Sequence, residues 1–130
     1  MVVLDTDILV SLLKGDADAI EKIGTLREQQ SSLATTIVTA YELLKGAHLS
    51  SKVDENLGKV RGSLSSLLVL DFSFGAAEEA TKIYKELRER GKMIGEFDVL
   101  IAGIARFYGE ALVTRDAGYT SIRGVKIIKW

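Results

Sequence analysis

The residues of this sequence with the most chemistry to offer are acids standing at segment boundaries. Asp5-Thr6-Asp7 closes the apolar run Val2-Val3-Leu4, and Asp116 follows another in Leu112-Val113-Thr114-Arg115-Asp116. Asp98 stands near the start of a long apolar stretch, and Glu42 lies inside a helical pattern. Carboxylates that converge repel one another and push some pKa values up, a conflict that a divalent cation removes. The chain has no cysteine and one histidine, His48. Thiolate and histidine-rich metal sites are therefore excluded, and any metal must be held by oxygen, which favours magnesium, manganese or calcium. A cation held this way can bind a phosphate oxygen and activate a water for in-line attack. Each acid also has a purely structural reading. Asp5 and Asp7 can simply start a helix, Asp98 can complement a helix N-terminus, and Glu42 can be a solvated carboxylate.

Composition sets the frame. A chain of 130 residues fits one domain, 1–130, with a real core. Nothing approaches the roughly 20 apolar residues that span a bilayer, and no signal-peptide pattern opens the chain, so a cytoplasmic setting without a membrane is expected. A net charge of −1 advertises no polyanion partner over the whole surface. An enzyme that meets RNA through a local basic patch and a metal remains compatible with it.

The elements that must position the acids alternate. Val2-Val3-Leu4 reads as a short buried strand, followed by a helix carrying Ile8, Leu9, Leu12 and Leu13, with Thr6 or Asp7 as its cap. Residues 16–27 carry Ala19, Ile20, Ile23 and Leu26 at helical spacing. After a strand at residues 32–36, residues 37–48 form a helix with Ile37, Ala40, Tyr41, Leu44 and His48 on one face and Thr35 or Thr36 as cap. Residues 52–64 form a surface helix with the stripe Val53, Leu57, Val60 and Leu64. A third strand at 67–70 ends on Asp71. Residues 76–90 form the clearest amphipathic helix, with Ala77, Ala80, Tyr84 and Leu87 on one side and the pairs Glu78–Lys82 and Glu86–Arg90 on the other. A helix apolar nearly all round at 97–108 and strands at 111–113 and 125–128 complete the chain.

Strands separated by helices imply βαβ units: an α/β fold, a three-layer α/β/α sandwich around a mainly parallel sheet of about five strands. All strand carboxyl ends then share one edge, where open α/β sheets place their ligand sites. Asp5 and Asp116 belong to that edge directly. Asp98 shares a helix face with the small residues Ala102 and Ala105, so it points into packed structure or a cleft. Glu42 lies in a helical stretch, Thr39-Ala40-Tyr41-Glu42-Leu43-Leu44, that starts just after a strand whose end reaches the same edge. Glu96 is read as a helix cap or an auxiliary ligand, and Thr6 and Thr114 as groups that orient carboxylates or water. Lys14, Lys45 and Arg115 lie near the expected rim, where RNA phosphates would meet them. His48, Tyr41 and Tyr84 are read as structural.

In order, Asp5-Thr6-Asp7 after a strand, Tyr41-Glu42-Leu43 on a helix, Asp98-Val99-Leu100-Ile101-Ala102, and Thr114-Arg115-Asp116 resemble the PIN-domain ribonucleases. The similarity is greatest to the VapC-like toxins of toxin–antitoxin pairs, and it covers essentially the whole chain. It implies a Mg²⁺- or Mn²⁺-dependent acidic site that cuts single-stranded RNA, a cognate antitoxin protein that covers it, and a homodimer. Carried onto this sequence, Asp5, Glu42, Asp98 and Asp116 become the acidic quartet. Asp5 and Asp98 are then the direct metal ligands, Asp116 a further metal residue, directly or through water, and Glu42 acts through water or on the nucleophile. Two departures stand out. Asp7 occupies a place where the family often has Asn or Ser, and Gly118 and Tyr119 lie where many members have a further acid. Two other readings compete with the nuclease. One is a phosphatase of the haloacid-dehalogenase type, with Asp5 as nucleophile and Asp7 as acid/base. The other is a non-catalytic binding module: a PIN domain serving as a scaffold, or a receiver-like domain in which Asp5, Asp71, Thr114 and Lys126 form the pattern.

Overall fold

The computed structural model describes residues 1–130. Along the chain run β1 (Val2–Leu4), α1 (Thr6–Leu13), α2 (Ala17–Gln29), β2 (Leu33–Thr36), α3 (Ile37–His48), α4 (Val53–Ser65), β3 (Leu68–Leu70), α5 (Phe74–Glu89), α6 (Glu96–Tyr108), β4 (Ala111–Thr114), a 3₁₀ turn (Ala117–Ser121) and β5 (Ile127–Lys129). The five strands form one sheet in the order β3-β2-β1-β4-β5, every pair parallel. The expected α/β/α sandwich is what the chain forms. No helix is long and apolar enough to cross a membrane.

Strand period explains the layers. Val3, Ala34 and Leu112 point to one side of the sheet and pack with α5 and α6 through Ala76, Ile83, Leu87, Ile101 and Ile104. Val2, Leu4, Leu33 and Val113 point to the other and pack with α1, α2 and α4 through Ile8, Leu9, Ile23, Leu57 and Val60. Alternate residues of a strand leave on opposite faces, so three residues of β1 serve two cores. Each fully buried Leu or Ile contributes about 1.5–3 kcal/mol to folding. Both layers thus anchor β1, and the residue after it is held from two sides.

Several helix faces differ from the sequence reading. On α5 the buried face is Ala76, Ala80, Ile83 and Leu87, while Tyr84 is exposed. The cause is a close approach: a Cβ on Gly103 of α6 would lie 2.6 Å from the Ala80 Cβ, so Ala80 must sit on the contact line. The pairs Glu78–Lys82 and Glu86–Arg90 are not formed; Lys82 pairs with Glu79, Lys85 with Glu89, and Arg106 of α6 lies between Glu79 and Glu86. On α2, Ile20 is exposed beside buried Ala19, Ile23 and Leu26. On α3 the buried side is Val38, Thr39, Ala40, Leu43 and Ala47, which turns Ile37, Tyr41 and His48 to solvent. Of the expected stripe Ala40 is buried; a stripe drawn through the large residues missed the rest of the face, which Val38, Thr39, Leu43 and Ala47 occupy. The caps are Asp5 for α1, not Thr6 or Asp7, and Thr36 for α3.

Candidate active site

In an open sheet of order 3-2-1-4-5, the chain leaves β1 and β4 in opposite directions, which opens a crevice beyond their carboxyl ends. Asp5 follows β1, and Thr114 ends β4, two residues before Asp116. The N-terminal turn of α6 brings Asp98 to the same crevice, and α3 brings Glu42. Together with Asp7 they line a cleft of about 480 Å³ in which Arg115 is the lone cation. All four acids of the expected quartet therefore meet, and Asp7 joins them.

Asp5 is the most enclosed, with 4% of its surface exposed. Its Oδ2 accepts a hydrogen bond of 2.7 Å from the Thr114 hydroxyl, and its Oδ1 accepts one of 2.8 Å from the Thr6 backbone N–H. Burial pushes the Asp5 carboxyl up from 3.8 to about 6 against these bonds, helped by the charges of Asp7 and Asp98. Asp98 is also raised, by burial first and then by Asp116 and Asp7, with the Tyr119 hydrogen bond opposing. Like charges crowded in a partly dry cleft carry an unfavourable energy in the metal-free protein.

Glu42 is steered by a line of hydroxyls. Thr6 Oγ1 donates to Glu42 Oε1 at 2.9 Å and lies 2.9 Å from Thr39 Oγ1. A hydroxyl has one hydrogen, so Thr39 must be the donor to Thr6. Thr39 in turn is capped from below by Thr36, whose hydroxyl accepts the Thr39 N–H at 3.1 Å. Thr114 orients Asp5 as expected and accepts the Asp116 N–H at 3.0 Å. Asp7 accepts the Arg115 N–H at 3.0 Å through Oδ2, while its Oδ1 is buried with no partner. Asp116 caps the 3₁₀ turn through the Gly118 N–H at 2.8 Å and stays exposed at the lip.

Tyr119 was missed as a functional residue. It is fully buried, and its hydroxyl donates to Asp98 Oδ1 at 2.9 Å while standing 3.3 Å from Asp5 Oδ1. Burial, with Asp5 and Asp98 beside it, holds the phenol protonated far above its ordinary range. One neutral hydroxyl thus stands between two repelling carboxylates and donates its hydrogen to Asp98. Nothing local in Ala117-Gly118-Tyr119 announces this; the signal is only that an aromatic follows Asp116 by three residues. Tyr119→Phe should weaken Mn²⁺ binding about 10- to 100-fold, the usual cost of removing a group that orients a ligand, with the circular dichroism spectrum preserved. Calorimetric titration of both proteins measures it.

The remaining expectations divide. Glu96 neither caps α6, where Gly95 is the cap residue without a side-chain bond, nor lines the cleft. It faces a separate apolar depression with Phe72, Tyr84 and Leu100, because it leaves α6 about 200° from Asp98. Arg115 reaches the cleft but is bound to Asp16 at 3.6 Å and to Ser11 at 2.9 Å. The Lys45 ammonium lies 5.2 Å and 5.3 Å from the ring centres of Tyr41 and Phe97, which pack edge to face. Lys14 borders a groove of about 310 Å³ between α1, α3 and α4, which meets the acidic cleft at Val10 and Glu42. Asp71 follows the edge strand β3, with β2 between it and β1, so the receiver-like pattern is not assembled.

No three acids close into a ready-made metal cage. The donor set is nevertheless all oxygen, and the unpartnered Asp7 Oδ1 and the raised Asp5 call for a positive charge. These features fit a hydrated hard cation that takes a few carboxylates and keeps its own waters.

The PIN domain family matches residues 2–125. The tRNA(fMet)-specific endonuclease VapC of Shigella flexneri is 31% identical over 128 residues, covering 98% of this chain and 96% of that protein. Ribonuclease VapC2 of Haemophilus influenzae is 31% identical over 113 residues, covering 87% and 84%. Among solved structures, DNA-bound VapBC from Salmonella typhimurium superposes with a TM-score of 0.90 at 31% identity, over 100% of this chain and 99% of that one. VapBC2 from Rickettsia felis, bound to a DNA fragment from their promoter, gives a TM-score of 0.92 at 27% identity and the same coverage.

Proposed function

The chain belongs to the PIN-domain family, and from that membership we propose that it is a divalent-metal-dependent endoribonuclease, the toxin of a toxin–antitoxin pair, acting in the cytoplasm on single-stranded RNA. The observation that carries this reading is the convergence of Asp5, Glu42, Asp98 and Asp116 at the crevice beyond β1 and β4. The curated VapC ribonucleases and VapBC complexes that the chain matches along its length set aside the phosphatase and receiver alternatives.

Asp5 and Asp98 would hold Mg²⁺ or Mn²⁺ directly, with Asp116 a further metal residue, directly or through water. When bound, the ion supplies a counter-charge for the scissile phosphate and lowers the pKa of an attacking water. The chain's own side chains do the rest. Thr114 and Tyr119 fix the two ligating carboxylates, so little reorganisation is left for the reaction. Glu42, held by Thr6, would take a proton from the attacking water, and the departing ribose oxygen would take one from solvent as its phosphorus–oxygen bond breaks. Asp7 stands as an auxiliary carboxylate and holds the Arg115 backbone at the mouth. The apolar groove that meets the cleft at Glu42 suits an antitoxin segment that would block RNA. The apolar depression of Phe72, Tyr84 and Leu100 suits the homodimer contact.

A mixed pool of single-stranded RNA tests the activity. Cleavage with Mg²⁺ or Mn²⁺ that stops in EDTA is expected; cleavage that persists in EDTA would overturn the metal-dependent reading.

A further inference from the structure

An acidic cleft repels the polyanion that it is proposed to cut, and two of the three cations near it are already engaged, while Lys14 borders the adjoining groove. Arg115 is paired with Asp16, and Lys45 rests on two rings. A bound cation offsets charge at one phosphate, but the flanking phosphates need fixed positive charge of their own.

The other side of the 3₁₀ turn supplies it. A cleft of about 410 Å³ is lined by Arg90, Lys92 and Arg123 together with the hydroxyl residues Thr120 and Ser121, and no acid lines it. On the neighbouring helices, Lys82, Lys85 and Arg106 pair with Glu79, Glu89 and Glu86. Arg90, Lys92 and Arg123 have no such partner. Arg90 is tethered, since its guanidinium donates to the Ser121 carbonyl, while its Nε is buried with no partner. Tethering reduces the rotamer entropy that a phosphate contact would otherwise cost.

The 3₁₀ turn joins this basic cleft to the acidic one. Asp116 caps its start, and Tyr119 points from it into the Asp5–Asp98 pair, while Thr120 and Ser121 face the cations. Five residues at about 2 Å each give a separation on the order of 10 Å, which a few nucleotides bridge.

We propose that Arg90, Lys92 and Arg123 form a phosphodiester-binding subsite that holds the RNA strand on the far side of the 3₁₀ turn from the acidic cleft. This rests on the ribonuclease reading and adds to it the path of the substrate. The shared chemistry is an oxygen anion in a cationic, hydroxyl-rich cleft, and RNA is favoured over an acidic protein segment because the same turn borders the proposed cleavage site.

The test uses the full chain carrying Asp98→Asn, to prevent cleavage, and a fluorescein-labelled oligouridine followed by anisotropy at several salt concentrations. Adding Lys92→Glu with Arg123→Glu should weaken binding at least about tenfold and reduce the salt slope by roughly 0.7 per lost contact. Lys92→Gln with Arg123→Gln should give a smaller loss, and Lys22→Glu on the opposite layer should give none. Equal affinity and slope in all variants, beside intact metal-dependent cleavage by the unmutated protein, would overturn the subsite alone. Loss of binding to an acidic peptide with RNA binding unchanged would assign the cleft to a protein partner and overturn it as well. Absence of RNA binding and of cleavage by every form would overturn the subsite and the ribonuclease reading together.

Discussion

Asp98→Asn is expected to reduce metal-dependent RNA cleavage by about three orders of magnitude or more while leaving the protein folded. A metal clamp on a phosphoryl group contributes several kcal/mol to the transition state, and about 1.4 kcal/mol corresponds to tenfold in rate. Asparagine keeps the shape of the side chain and an oxygen that can accept the Tyr119 hydroxyl, now at 2.9 Å from Asp98 Oδ1. It removes one charge from a set whose members raise each other's pKa values. The variant should therefore melt at the same temperature as the unmutated protein or higher when metal is absent. Cleavage measured on one RNA pool, with thermal melting of the same samples, checks both parts. Cleavage retained at the unmutated rate would remove Asp98 from the site.

Asp5 predicts the second large effect, on stability. Its folded-state pKa of about 6 lies above the ordinary 3.8 because burial disfavours the charged form. Between those values the folded chain binds more protons at Asp5 than the unfolded chain does. Its contribution to stability is then fully present below about 3.8 and is lost as pH rises through about 6. A pKa difference of that size corresponds to roughly 3 kcal/mol. Other carboxylates titrate in the same range, and Glu79 runs the opposite way, lowered chiefly by its hydrogen bond to Lys82. The clean observable is the difference between Asp5→Asn and the unmutated protein. Urea unfolding in EDTA should show the variant gaining up to that amount, relative to the unmutated protein, as pH rises from about 4 to about 7. Saturating Mn²⁺ should restore the unmutated protein and do little for the variant. A pH-independent difference would mean that Asp5 is not held at an electrostatic cost.

Most of the fold was legible because strand and helix periods differ. Val2-Val3-Leu4, with apolar residues in all three places, reads as a strand buried on both faces, and it is one. The faces of the helices were less legible. Tyr41 and His48 are large enough to draw a stripe through, yet α3 buries Thr39 beside the expected Ala40, since a small residue in an extended hydroxyl chain fits where an aromatic would not. Asp5, Asp98 and Asp116 were legible because each stands at or near the boundary of an element, whereas Glu42, inside α3, joined them through the family resemblance. Tyr119 was not, because its role depends on a turn that returns across the sheet edge to touch residues 21 and 114 positions away. The cationic cleft was hidden for the same reason: Arg90 and Arg123 meet only in three dimensions.

Everything proposed for the site requires that these carboxylates hold a divalent cation. Calorimetric titration of Mn²⁺ into EDTA-stripped protein at neutral pH decides this without needing the natural RNA. Saturable uptake by the unmutated chain is expected, with pH-dependent proton release as Asp5 ionises, and uptake should be lost in Asp98→Asn. Equal uptake by both proteins, or none by either, would contradict metal binding by the quartet.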